Sequence, residues 1–423
     1  MTGFARGTFV KRGGELILRH ARYASALRVA LIAAFCLALA ACNVTGGIFG
    51  RAGSGGVAAS APQGETAPQK DLSEKIGSGP ARVALILPLT QAAGGASVVG
   101  ASLRNAGELA WIDAGNNDIT LLVKDDHSTP EGARAAAQAA VADGAEIILG
   151  PLFAANVREA APVARSAGKP MIAFSTDTST AGPEMFLLSF LIENYVDRII
   201  DYAASRGKKS IAALVPDTDY GRVAEGEFQQ AAARNNIRVM TIEHYQPQTV
   251  AEAAKKVAAL NDQIDALFIP ERADAMPPVS QALTAAGIST KQVQILGIGL
   301  WNDARVLTLP ALQGAWFSAP ENGGFNAFAE RYRAKYHAEP ARIATLSYDA
   351  VSLAAALAHT QGSQRYSAGV LTNRSGFNGA DGIFRFRPDG TNERGLSVLQ
   401  ITNGTASPVS PAPRSFSGTA SAM

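Results

Sequence analysis

Residues 144–157 read GAEIILGPLFAANV. An apolar strand, Ala145–Leu149, runs into a Gly150-Pro151 turn, and a helix follows over about Ala155–Ala167. The same cycle lies on either side. Upstream, Arg82–Leu87 (RVALIL) leads through Pro88-Leu89-Thr90 to a helix over Ala101–Ala114. Next comes the strand Ile119–Lys124 and a helix over Glu131–Asp143. Ser128 and Glu131 have capping-box spacing, with Pro130 in the first turn. Downstream, Pro170–Phe174 (PMIAF) is a fourth strand. Strands alternating with helices of 10–15 residues predict a parallel sheet covered on both faces. Apolar runs that are continuous rather than alternating predict strands buried on both sides.

The pattern then restarts. Strands are predicted at Ser210–Val215, Arg238–Ile242, Ala266–Ile269, Gln294–Leu296 and Ala315–Phe317. Helices are predicted at Tyr220–Ala233, Val250–Leu260 and Met276–Ala286. The fold class is therefore α/β, with two Rossmann-like lobes. About 320 residues, 81–403, suit two lobes better than one core.

The N-terminus is of another kind. Six basic residues and one acid occupy positions 1–28, and Val29–Cys42 (VALIAAFCLALAAC) carries no charge. Those 14 residues fall short of the roughly 20 needed to span a bilayer. This is the order of a secretory signal, residues 1–41. Its end, Leu39-Ala40-Ala41-Cys42, resembles the lipobox of bacterial lipoproteins, which implies that Cys42 is acylated and becomes the mature N-terminus. Asn43 rather than Asp follows it, and the resemblance then implies the outer membrane, facing the periplasm. Residues 42–80 comprise the lipidated cysteine and a Gly/Ala/Ser/Pro-rich tether that reaches about 125 Å when extended. Residues 404–423 read as a disordered tail.

The two cysteines are Cys36 and Cys42. Neither is left for a disulfide in the mature domain. The chain has 38 Lys and Arg against 36 Asp and Glu. Without the signal, 32 face 35, which points to no nucleic-acid partner.

The order of segments resembles the type I periplasmic binding proteins, the branch of the branched-chain amino-acid receptors. The residues that carry it are VALILPLT (83–90), DD (125–126), GAEIILGPLFAANV (144–157), PMIAFSTD (170–177), VPDTDYGR (215–222), YDAVSLAAAL (348–357) and GFNGADGIFRFRPDG (376–390). The resemblance implies three crossovers between the lobes, near 193–197, 318–323 and 384–388. Lobe 1 is then 81–195 plus 322–385, and lobe 2 is 196–320 plus 386–403. Within this family, the anchor and tether look most like the lipoprotein activators of penicillin-binding proteins.

Ligands of open α/β sheets bind beyond the carboxyl ends of the strands, near helix N-termini. The candidates there are Pro88, Leu89, Thr90, Pro151, Phe153, Ala154, Ser175, Thr176, Thr178 and Tyr220. Most of them would also serve simple turn geometry. Trp301 either walls the cleft or belongs to the core. Amino-acid receptors of this family place a hydroxyl after the third strand to hold the ligand carboxylate; here Phe153-Ala154-Ala155 stands in its place. Nor does Gly297–Asn302 offer a carboxylate for an ammonium before Asp303. An α-amino acid ligand is therefore not expected.

No catalytic residues, metal or cofactor are expected. The five histidines have no ligand spacing. Ser166-x-x-Lys169 and Ser205-x-x-Lys208 have no partner motifs. Asp125 and Asp126 are adjacent on a strand and point to opposite faces. The reading is a non-enzymatic lipoprotein that activates a penicillin-binding protein in peptidoglycan synthesis. The alternative is the solute-binding receptor of an ABC transporter, with a small molecule in the interlobe cleft.

Overall fold

The computed structural model describes residues 72–115 and 117–416. The signal segment, Cys42 and the tether up to residue 71 lie outside the described residues.

Lobe 1 is built on a six-stranded sheet in the order β1-β3-β2-β4-β5-β6. Its strands are β1 (Glu74–Ile76), β2 (Ala81–Leu87), β3 (Ile119–Asp125), β4 (Ile147–Leu149), β5 (Met171–Ala173) and β6 (Met185–Leu187). Strands β2 to β6 are parallel, and β1 adds antiparallel to β3. Helices α1 (Val98–Asp113), α2 (Pro130–Ala142) and α3 (Ala154–Ser166) follow β2, β3 and β4. The period of two sorts β2 between the layers. Val83, Leu85 and Leu87 join a core with Leu103 and Ala110 of α1. Ala84 and Ile86 face the alanines of α2 and α3, which let those helices lie close.

The chain enters lobe 2 with α4 (Ile192–Ser205). There follow β7 (Ser210–Pro216), α5 (Asp219–Arg234), β8 (Arg238–Tyr245), α6 (Val250–Ala258), β9 (Ala266–Phe268), α7 (Met276–Ala285), β10 (Gln294–Gly297) and β11 (Trp316–Ala319). It returns to lobe 1 with α8 (Asn322–Tyr336) and α9 (Ala344–Thr360), which pack beside α1. A small antiparallel sheet follows: β12 (Phe377–Gly379), β13 (Gly382–Phe386) and β14 (Asn392–Arg394). Finally β15 (Ser397–Thr402) and β16 (Thr405–Ser410) complete a seven-stranded lobe 2 sheet, β16-β15-β11-β10-β9-β7-β8. Among the described residues no helix is long and apolar enough to cross a membrane.

Four boundaries differ from the sequence expectation. The folded part begins before residue 81: β1 pairs with β3, and Ser73 Oγ accepts from the Asp125 amide at 3.1 Å. The first crossover lies ahead of α4 rather than within 193–197, because Val196, Ile199 and Ile200 are already core of lobe 2. The third lies at Gly395-Leu396 rather than 384–388. Phe384 and Phe386 belong to the lobe 1 core, and Pro388-Asp389-Gly390 turns the chain back into β14 before it leaves. The middle crossover falls at Pro320-Glu321, between β11 and α8.

The fourth difference is the tail. Residues 405–410 form strand β16, paired with β15. Asn403 and Gly404 both have positive φ, 52° and 75°, and close a two-residue hairpin loop. Asn-Gly is the preferred pair for such a loop. A Cβ on Gly404 would meet only Thr308 Cγ2, at 3.7 Å, so conformation rather than space demands glycine there. Gly404→Val is expected to cost about 1–2 kcal/mol, the penalty of a left-handed L-residue. Urea unfolding checks this through a lowered midpoint with an unchanged slope.

The cap of α2 is also one residue later than expected. Thr129 Oγ1, not Ser128, accepts from the Gly132 amide at 3.0 Å. Asp126 captures the Ser128 amide instead, at 2.8 Å.

Candidate functional site

The three crossovers are stitched by buried polar groups. The Ser189 carbonyl accepts from Asn392 Nδ2 at 2.8 Å and from Arg394 Nε at 3.0 Å. Ser318 Oγ donates to the Tyr195 carbonyl, and Ser397 Oγ to the Ala319 carbonyl, at 2.7 and 2.8 Å. These bonds hold the strand ends of both lobes around one cavity of about 540 Å³.

From lobe 1 the cavity takes Leu152, Phe153 and Ala154 after β4, and Phe174 to Asp177 after β5. Ser189 and Phe190 come from the first crossover, and Arg342, Ile343 and Leu346 from the start of α9. From lobe 2 it takes Ile192 and Tyr195 of α4, Tyr220 of α5, and Gly299, Leu300 and Asn302 after β10. Ala319 and Pro320 close it at the middle crossover. The walls are mostly hydrocarbon and aromatic. Phe153 and Leu300 remain 45% and 39% exposed, one on each lobe.

The polar groups are few. Among the described residues the phenol oxygens of Tyr195 and Tyr220 have no hydrogen-bond partner. Burial pushes the Tyr195 phenol up to about 12. Burial, then Tyr195, Glu193 and Glu271, push the Tyr220 phenol upward. Both are protonated donors at neutral pH. Arg342 is the one cation lining the cavity and Asp177 the one acid. Asp177 pairs with Arg158 and accepts from Ser179, so it is already neutralised. No lining residue of lobe 2 is acidic. Glu271 is turned to the Tyr245 hydroxyl at 2.7 Å, and Asp303 caps a short helix and pairs with Arg305.

Of the residues singled out in the sequence, Phe153, Ala154, Ser175, Thr176 and Tyr220 line this cavity. The others do not. Thr90 is buried against Asp125 Oδ2 and His127 Nδ1, at 3.0 and 2.8 Å, and Leu89 packs in the lobe 1 core. Pro88 is buried with its carbonyl against Gly100, and Pro151 is buried at the end of β4. Thr178 starts a short 3-10 turn and is not among the lining residues. Trp301 is core: it is 0% exposed, and its Nε1 donates to the Glu271 carbonyl at 3.1 Å. Arg342, Tyr195 and Phe190 were not expected. Among the described residues no group of three His, Cys, Asp or Glu side chains is placed to hold a metal ion.

Two α/β lobes, three short crossovers and a cavity between facing strand ends define the architecture. A sequence model described as periplasmic binding protein matches residues 80–406. The chain belongs to the periplasmic binding protein family. Its fold is that of the type I members. A putative branched-chain amino acid ABC transporter protein from Rhodospirillum rubrum is similar in structure, with TM-score 0.68 and 19% identity over 78% of this chain and 99% of that one. An ABC transporter substrate-binding protein from Desulfitobacterium hafniense, in complex with Leu, has TM-score 0.58 and 19% identity over 78% and 99%. A solute binding protein from Rhodopseudomonas palustris, in complex with 3,4-dihydroxy benzoic acid, has TM-score 0.56 and 19% identity over 78% and 96%. No curated protein matches the chain.

As in other periplasmic binding proteins, two lobes face one another across a cleft. In this member the turn after β4 presents Phe153 and Ala154 to it. Helix α3 starts there with no side-chain cap.

Proposed function

We propose that this periplasmic binding protein is a solute-binding receptor of the ABC-transporter type, taking a small and largely apolar molecule between its lobes. The observation that carries this reading is the cavity itself. Its volume of about 540 Å³ falls in the usual range for ligand sites, roughly 300–1,000 Å³. Its walls are aromatic and aliphatic, with two unpartnered phenols to orient a guest. The solved structures it resembles are described as ABC transporter binding proteins, some with leucine or a dihydroxybenzoate bound. Membership of the periplasmic binding protein family supports a binder rather than an enzyme.

A thermal-shift screen against a metabolite library tests the reading. A ligand at a hundred times its Kd stabilises the folded state by about 2.7 kcal/mol. At least one compound is expected to raise the melting temperature, and Ala154→Trp, which fills the cleft, to abolish the rise. A library without a hit would count against a receptor. Gly299→Ala gives a subtler check. A Cβ there would fall 2.4–2.7 Å from the Tyr195 ring and hydroxyl. The variant is expected to displace that phenol, destabilise the free protein by about 1–3 kcal/mol and weaken the hit compound in the same screen.

The second reading, activation of a penicillin-binding protein from the outer membrane, is supported by the N-terminal sequence: the lipobox-like Leu39–Cys42, Asn43, and the Gly/Ser/Pro-rich stretch behind it. Palmitate labelling lost in Cys42→Ala tests the anchor. Co-purification of a bifunctional cell-wall synthase, with raised glycan polymerisation, tests the activation.

A further inference from the structure

Arg342, in the cavity wall just before α9, stands over three buried charges: Asp349 on α9, Asp381 in the β12–β13 turn and Arg394 on β14. Their pairing is unequal. Asp381 accepts from both Nη atoms of Arg342, at 2.9 and 2.6 Å, and from Thr345 Oγ1 at 2.5 Å. Arg394 gives only Nε, to the Ser189 carbonyl, and its Nη1 and Nη2 are buried without a partner. Its guanidinium lies 4.6 Å from the Phe190 ring, which Arg342 also approaches at 5.0 Å. Asp349 makes no ion pair; Oδ1 accepts from the Ala380 amide at 2.6 Å and Oδ2 is unpartnered. Burial, only partly offset by Arg394, pushes its carboxyl up to about 7, so at neutral pH it is partly uncharged. Two cationic N–H groups, Nη1 and Nη2 of Arg394, are thus left without a partner against a single carboxylate oxygen, Asp349 Oδ2.

The rest of the wall does not cancel this surplus. Asp177 is matched by Arg158. Glu193, in the first turn of α4, is absent from the cavity lining; burial pushes its carboxyl up, and its Oε2 has no partner. Helices α3 and α9 begin at the cavity with neither a side-chain cap nor an acid in the first turn, so their positive ends add to the same sign; α4 carries Glu193 in its first turn. A low-dielectric wall focuses such a field, and a lone ammonium would find no free carboxylate among the lining residues.

We propose that the cleft ligand is an organic monoanion, an apolar body with a carboxylate and no ammonium group, seated with its carboxylate toward the outer N–H groups of Arg342 and the Tyr195 and Tyr220 phenols. This inference rests on the solute-binding reading and sharpens it.

Calorimetric titration of the full mature protein with two matched series tests it: 4-methylpentanoate, its amide and leucine; and 3-phenylpropanoate, its amide and phenylalanine. In at least one series the acid is expected to bind about ten- to a hundredfold more tightly than its amide, the scale of a charge-assisted hydrogen bond. The amino acid is expected to bind more weakly than the acid. Arg342→Gln should weaken the acid at least tenfold more than its amide, and Arg342→Lys, which keeps the charge beside Asp381, should retain part of the preference. An amide or amino acid that equals or exceeds its acid overturns the anion assignment and leaves solute binding standing. Binding by none of the six overturns the assignment as well, and the receptor reading then rests on the library screen alone.

Discussion

Trp301→Ala is expected to destabilise the protein by about 3–5 kcal/mol, the range for removing a fully buried tryptophan. Its ring fills the space over Gly297, where even a Cβ would lie 2.3 Å away. Its Nε1 holds the carbonyl of Glu271, and the Glu271 carboxylate in turn accepts from the Tyr245 hydroxyl at 2.7 Å. The substitution thus opens a cavity and orphans a buried carbonyl together. Leu300 and Asn302, its chain neighbours, line the cleft, so the loss reaches the site as well as the core. Urea unfolding of the two proteins measures the first effect. Trp301→Phe, which keeps most of the volume but not the hydrogen bond, should fall between them. A loss below about 1 kcal/mol for alanine would place this side chain outside the core.

Asp381→Ala is expected to cost about 3 kcal/mol, the lower end for breaking a buried ion pair. The carboxylate is fully buried, whereas the Arg342 side chain retains 39% exposure and can recover some hydration. Removing Asp381 takes three hydrogen bonds with it and leaves two guanidiniums with only Asp349 nearby. It also unties the β12–β13 turn from the start of α9. Asp381→Asn should cost less, since an amide oxygen still accepts from Arg342 or Thr345. Thermal unfolding checks the order wild type, Asn, Ala.

The strands that build both sheets were plain in the sequence because they are buried on two faces. RVALIL and SIAALV carry almost nothing polar, and the structure places strands there. What the sequence did not mark were features without a period or with a misleading composition. Strand β1 is three residues long and has no pattern to read. Strand β16 was hidden by Ser, Pro and Ala, although Asn403-Gly404 is a hairpin signal in its own right; Pro408 is tolerated because β16 is a sheet edge. The Ser128 cap failed because Asp126 takes the Ser128 amide, leaving His127 and Ser128 at positive φ.

The cleft divides in the same way. Turns after β4, β5 and β7 follow from the fold, so Phe153, Ser175, Thr176 and Tyr220 were within reach. Thr90 followed the same rule and failed, because Asp125 and His127 draw its hydroxyl inward. Tyr195 comes from a helix that begins just past a crossover, and Arg342 from the turn between α8 and α9. Their place at the cavity depends on how the lobes are joined, which no local pattern encodes.

The most direct measurement is a crystal structure of the protein grown with a hit from the library screen. The expected result is density for the compound between Phe153, Phe174 and Phe190 on one side and Tyr195, Tyr220 and Leu300 on the other, with its polar end toward Arg342. A compound bound elsewhere, or a cleft holding only water at saturating ligand, would contradict a receptor for small solutes.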